Sequence, residues 1–190
     1  MIDIEEINGA IEVLKDGGII LYPTDTVWGL GCDATNKDAV EKIYQIKQRS
    51  DSKSLITLVS DLDMLTKYVK EIPAMALNLI EVNDKPMTII YPDAVGLAEN
   101  VIAEDGSAGI RIPSTSEFCT ELVKRFRRPV VSTSANISGQ PTPSFYDEIN
   151  IDIIESVDWC ADPYLEEGAT GQASQIIKVG LGGEIQIIRE

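Results

Sequence analysis

The sequence predicts one α/β domain over residues 1–190, built on a mixed sheet flanked by helices. Three observations lead there. Short apolar runs alternate with stretches of helical period along the chain. No composition break, linker or internal repeat divides it. The last two apolar runs, SQIIKV (174–179) and EIQIIR (184–189), flank a glycine-rich turn as a hairpin does, so the sheet holds antiparallel as well as parallel pairs.

Each element follows from its own residues. Ile4, Ile7, Ile11 and Leu14 share one face of a helix over 3–16, which Gly17-Gly18 ends. GIILY (18–22) reads as a buried strand, and PTDTVWGLGCDA (23–34) as a Thr- and Gly-rich loop. Asn36 caps a helix over about 38–48, with Ala39, Val40, Ile43 and Ile46 inward. KQRSDSKS (47–54) connects it to the strand LITLV (55–59). Residues 61–82 read as two short helices split near Pro73. MTIIY (87–91) is a strand, and AGIRIP (108–113) is another that proline stops. Ser114 and Glu117 have capping-box spacing for a helix to about Phe126. PVVST (129–133) is a strand, and 140–170 is polar and irregular with weak helix signals.

Composition excludes several classes. At 190 residues, 44% hydrophobic and 25% charged, the chain can bury a real core. No apolar run approaches the roughly 18 residues of a membrane span. The start, MIDIEEING, lacks a signal peptide's basic and apolar regions, so a cytoplasmic protein without a membrane partner is expected. Cys32, Cys119 and Cys160 lie far apart with no CxxC spacing, which fits reduced thiols and excludes a cysteine zinc site. There is no histidine. Histidine acid–base catalysis, histidine-activated nucleophiles and histidine metal ligands are therefore absent, and no protein metal site is expected. A net charge of −15 repels nucleic acid over most of the surface. Any polyanion must sit against a cluster drawn from the 16 Lys and Arg.

Polar residues gather at strand ends. Neither GxxxxGK[ST], GxGxxG nor GxSxG occurs, and GLG (29–31) alone reads as a turn. In PTDT (23–26), the Thr24, Asp25 and Thr26 side chains either cap their own backbone or face a ligand. Trp28 amid them marks a pocket wall. KQRSDSK (47–53) carries three cations. Extended, it would point Lys47 and Arg49 to one side, suiting two oxygens of a polyphosphate. As a helix end it would place cations favourably on the macrodipole. Arg111, between Ile110 and Ile112, faces either solvent or an anion, and Arg189 shares that ambiguity. In VVSTSANISGQ (130–140), four hydroxyls and an amide leave an apolar strand within seven residues. Buried, they need partners, either in their own turn or in a ligand. Gly139 turns the chain, and Ser138 reads as a backbone cap. SDSK (50–53) and SAN (134–136) also match the SxxK and SxN of Ser-Lys acyl-transfer enzymes. Here, however, SxxK lies between a helix and a strand and no KTG follows, which counts against that reading.

Lys47-Gln48-Arg49 followed by Ser134-Ala135-Asn136 resembles the KxR…SxN signature of the YrdC-like threonylcarbamoyl-AMP synthase family. LYPTDTVWGLGCDA, PMTII, GIRIP, VVSTSANISGQPTP and SQIIKV resemble family blocks in the family's order, over roughly 8–189. The resemblance is to the catalytic domain, without the extra C-terminal domain of longer members. It implies a twisted sheet with a deep concave cleft. The implied reaction joins L-threonine, bicarbonate or CO2, and ATP into threonylcarbamoyl-AMP and pyrophosphate. Transfer proteins then carry the group to tRNA, which this chain itself contacts only as a possible partner. Lys47 and Arg49 would be catalytic. With Lys53, Thr88, Ser134, Asn136, Thr142 and Arg189 they would bind nucleotide. Thr26, Arg111, Ser132 and Ser174 would bind threonine. Mg²⁺ would ride on the triphosphate, held mostly by phosphate oxygens and water. The family's usual prolines after KxR and before the next strand are Ser50 and Ser54 here, which predicts a less rigid loop. A diverged branch loses KxR or SxN; this chain keeps both, so an active synthase is expected. The alternative is a non-catalytic module of the same fold that binds double-stranded RNA or tRNA.

Overall fold

A computed structural model describes residues 4–48, 55–113 and 116–190, apart from the Glu117 side chain. Helix α1 (Ile4–Lys15) buries Ile7, Ala10, Ile11 and Leu14 on one face. Ile4, expected inward with them, is 48% exposed, because it stands in the first turn, ahead of the packed stretch. Gly17, at φ +73°, takes the left-handed turn that ends the helix, and Gly18 N–H reaches back to Val13 O.

Strands β1 (Ile20–Pro23) and β2 (Trp28–Gly31) form an antiparallel hairpin, pairing Pro23 with Trp28 and Ile20 with Gly31. The run over 23–34 is therefore not all loop. Its glycines misled because they mark close approach rather than a turn. A Cβ on Gly31 would lie 2.6 Å from Tyr22 Cε1 and 2.9 Å from the Val131 carbonyl oxygen. Gly31→Ala is expected to cost about 1–3 kcal/mol, read as a fall in thermal midpoint of about 2–4 °C per kcal/mol.

Helix α2 (Lys37–Ile46) starts at Asn36, whose side chain accepts from Asp38 N and Ala39 N. Strand β3 (Ile56–Leu58) follows, then α3 (Leu62–Leu65) and α4 (Ala74–Val82), split at Pro73 as expected. Strands β4 (Met87–Tyr91) and β5 (Ala108–Arg111) pair antiparallel. Helix α5 (Glu117–Phe126) is capped by Ser116 Oγ, which accepts from Cys119 N at 3.2 Å. The cap is thus Ser116 where a Ser114 box was expected, and Ser114 lies outside the described residues. Strand β6 (Val130–Ser134) leads into 140–170, which holds α6 (Ile151–Glu155) and strand β7 (Trp159–Cys160). Two residues of strand are too few to show a period. The hairpin β8 (Gln175–Val179) and β9 (Ile185–Arg189) ends the chain as expected.

Among the described residues the strands form one nine-stranded mixed sheet, in the order β7-β1-β2-β6-β3-β5-β4-β8-β9. Strand β6 pairs with β2 through Thr133 and Ser134, and with β3 through Val130, Val131 and Ser132. Strand β3 runs parallel to β5 with Leu58 beside Arg111. Three polar strand ends are thereby brought together: PTDT, the end of β6, and Arg111. Among the described residues, no helix is long and apolar enough to cross a membrane.

Candidate active site

A cavity of about 260 Å³ opens where these strand ends meet. Thr26, Trp28, Arg111, Ser132, Ser134, Thr142, Ser174 and Arg189 line it. Seven residues expected to bind threonine or nucleotide thus share one space, with Trp28 as the expected wall. Lys47, Asn136 and Thr88 stand behind that lining. Arg49 and Lys53 lie outside the described residues, as do Ser50 and Ser54.

Both readings of PTDT hold, for different residues. Thr24 Oγ1 accepts from Thr26 N at 3.1 Å and donates to Val27 O at 2.8 Å. Its one proton being used, the 2.8 Å contact between the two threonine hydroxyls has Thr26 as donor. Thr26 therefore offers its lone pairs to the cavity, where they suit an N–H or O–H of a ligand. Thr24 is the turn-former and Thr26 the wall.

Arg111 finds its anion within the chain. It forms an ion pair with Asp25, and both side chains are almost wholly buried. Asp25 Oδ2 and Arg111 Nε have no partner in the protein. Beside them, Cys119 Sγ donates to Pro23 O. Burial pushes that thiol up to about 12, so it stays neutral and is no nucleophile. Burial likewise pushes the Tyr22 phenol far above the usual tyrosine range. It remains a donor, to Val131 O at 3.2 Å.

Elsewhere in the lining, Arg189 donates through Nε and Nη2 to Ser174 O, at 2.9 and 2.7 Å. Ser174 Oγ lies 2.8 Å from Thr88 Oγ1, so Thr88 supports Ser174 from behind. Burial first, and then the like charge of Arg111, hold Arg189 below the usual arginine range. It stays protonated, and whereas Arg111 is paired with Asp25, these hydrogen bonds of Arg189 go to a neutral oxygen.

Lys47 departs from the extended geometry. It is the C-cap of α2, at φ −74° and ψ −3°, and Gln48 turns left-handed at φ 50°. The helix-end reading describes its backbone. Its ammonium, 3% exposed as a residue, donates to Ser134 O at 2.5 Å and Asn136 O at 2.8 Å. Ser134 Oγ bonds Asn136 Oδ1, and Asn136 Nδ2 donates to Ile137 O and Gln140 O. The loop after β6 thus satisfies much of itself around the lysine. Gly139, at φ +85°, makes the expected turn, and Ser138 N donates to Lys47 O.

The polar stretch before β8 closes the site. Gly171 N donates to Thr26 O and Thr170 N to Asp25 O. Glu166 Oε2 accepts from Trp28 Nε1 at 2.6 Å and from Tyr146 N at 2.9 Å. Glu166 has no sequence signal: it is one acid in a polar run, and only its spatial neighbours give it a role. Among the described residues, no group of three or more His, Cys, Asp and Glu could hold a metal ion.

These features define a class: an α/β protein with a strand-end cavity lined by arginine and hydroxyl groups, with no carboxylate among the described lining residues and no histidine in the chain. More narrowly, the chain belongs to the Sua5/YciO/YrdC family, described as "Telomere recombination", whose model matches residues 12–190. A threonylcarbamoyl-AMP synthase of Xanthomonas euvesicatoria pv. vesicatoria (strain 85-10) is 32% identical over 193 residues, covering 100% of both chains. Another, of Pseudoalteromonas translucida (strain TAC 125), is 34% identical over 97% of this chain and 98% of its own. P. abyssi Sua5, solved in complex with L-threonine, superposes with a TM-score of 0.86 at 27% identity over 94% of this chain. This chain spans 52% of that protein's length. E. coli YciO superposes with a TM-score of 0.82 at 27% identity, covering 98% of this chain and 89% of its own.

Proposed function

We propose that the protein is an L-threonylcarbamoyladenylate synthase, a nucleotidyltransferase acting for tRNA modification. The observation that carries this reading is the single cavity in which Thr26, Arg111, Ser132 and Ser174 meet Ser134, Thr142 and Arg189. The first four suit an amino acid: a guanidinium for its carboxylate, hydroxyl oxygens for its amine and side chain. The last three would hold the nucleotide, with Lys47, Arg49, Lys53 and Asn136 toward the phosphates. The full-length similarity to named synthases supports the same reading.

The chemistry fits a wall without an acid–base group. The amine of threonine adds to CO2 and loses a proton, giving a carbamate without an enzyme base. A carbamate oxygen then attacks the α-phosphorus of ATP. The new O–P bond forms as the α,β-anhydride bond breaks, and pyrophosphate leaves. Such a step depends on alignment and charge stabilisation. The described lining residues supply no carboxylate for a metal. Mg²⁺ would therefore arrive with the triphosphate, on phosphate oxygens and water. The product passes to transfer proteins in the cytoplasm.

The test is pyrophosphate release with ATP, threonine and bicarbonate supplied singly and together. Release only when all three are present is expected. Release indifferent to threonine overturns the reading. Salt-dependent tRNA binding without such turnover would favour an RNA-binding module instead.

A further inference from the structure

Trp28 is the largest side chain among the described residues that line the cavity. Its backbone is fixed twice: it pairs with Pro23 across the hairpin, and its carbonyl accepts from Ala135 N at 3.1 Å. Neither contact sets the indole. Glu166 Oε2 does so by accepting from Nε1 at 2.6 Å, and the Tyr146 ring packs beside it, centroids 5.1 Å apart. The same carboxylate oxygen accepts from Tyr146 N at 2.9 Å. Glu166 therefore ties the indole directly and also places the ring that packs on it. Its own position is set by a short turn (Pro163–Glu166), which begins at proline and is capped by Asp162 Oδ1, the acceptor for Tyr164 N. Trp28 is 1% exposed, so without Glu166 its N–H would be buried without an acceptor. The indole would then turn to regain one, and the wall would move with it.

We propose that Glu166 is a positioning residue for the amino-acid end of the cavity: it holds the Trp28 indole as a fixed wall, and threonine affinity depends on that wall. The proposal rests on the reading of this end as the threonine site. Trp28 stands two residues from Thr26 and closes the hairpin that presents it, so a displaced indole disturbs this end first. The strand pairing of Trp28 is independent of Glu166, so the effect is on the wall and not on the sheet. Both hydrogen bonds end on one oxygen, Oε2. A carboxamide oxygen can accept the same two, so the tie needs an acceptor and not a charge.

The experiment is pyrophosphate release by the full chain, with KM for threonine, KM for ATP and kcat measured on Glu166→Ala and Glu166→Gln. In the alanine variant the threonine KM is expected to rise at least tenfold, with the ATP KM and kcat within threefold of wild type. The glutamine variant is expected within threefold of wild type throughout. The chain has two tryptophans, so in a Trp159→Phe background fluorescence reports Trp28 alone. Its emission is expected to shift to longer wavelength in Glu166→Ala and to stay in place in Glu166→Gln. A threonine KM within twofold of wild type in the alanine variant, an equal rise in both KM values, unchanged emission, or a glutamine variant as impaired as alanine overturns the proposal. If the alanine variant does not fold, Trp28→Phe replaces it, since a phenyl ring has no N–H for Glu166 to hold. The same selective rise is expected there, and its absence overturns the proposal. Wild-type protein without threonine-dependent release overturns the proposed function and this inference with it. Wild-type release with an unselective variant overturns only the inference.

Discussion

Replacing Lys47 by alanine is expected to lower threonine-dependent pyrophosphate release by about 10²–10³-fold, the range for removing one preorganised donor at developing charge. The side chain sits at the join of two motifs. Its ammonium holds the carbonyls of Ser134 and Asn136, and so sets the shape of the loop whose Ser134 faces the cavity. Alanine removes the cation and also strands those carbonyls. A stranded buried acceptor costs about 1–3 kcal/mol, and the half-buried position of both residues favours the lower end, since water can reach them. Lys47→Arg is not expected to rescue activity. A planar fork cannot replace a compact ammonium that points at three oxygens in a slot where the residue is 3% exposed. Turnover and denaturant unfolding, measured on the same variants, separate the two effects. Alanine turnover within tenfold of wild type would remove Lys47 from the catalytic group.

How much of this was legible in the sequence depended on distance along the chain. The strand at 130–134 and the polar run behind it were visible because apolar burial and hydroxyl content change within a few residues. Thr26, Ser132 and Ser174 could be assembled on the resemblance, and the fold places them around one cavity. What could not be read were partners distant in sequence. Asp25 and Arg111 are 86 positions apart, and Lys47 and Ser134 are 87 apart. Lys47, moreover, contacts backbone oxygen, which every residue carries and which therefore leaves no trace in side-chain identity. Strand β2 was hidden for another reason. Gly29 and Gly31 signal a loop by propensity, but in the sheet they serve close packing against Ser132 and Tyr22.

Replacing Arg111 by methionine should give the largest loss of stability among these substitutions. The guanidinium is the ion-pair partner of Asp25, whose other oxygen, Oδ2, is buried without a partner. Removing one member of a buried pair typically costs about 3–5 kcal/mol, because the remaining charge is left uncompensated. Against a total stability of about 5–15 kcal/mol, that is a large share. At about 2–4 °C per kcal/mol for a chain of this size, the thermal midpoint should fall by on the order of 10 °C. The double variant Asp25→Asn/Arg111→Met removes both charges. It should recover most of the lost stability, since a neutral, well-packed replacement of a buried pair is often tolerated. Activity should not return with it, because the cation proposed for the threonine carboxylate is still missing. The two measurements therefore diverge: unfolding reports the pairing of Arg111 with Asp25, and pyrophosphate release reports its contact with substrate. A single variant that loses no more than about 0.5 kcal/mol, as an ordinary surface change does, would mean that the pair is open to water in solution. A double variant that regains both stability and turnover would assign Arg111 to the fold alone.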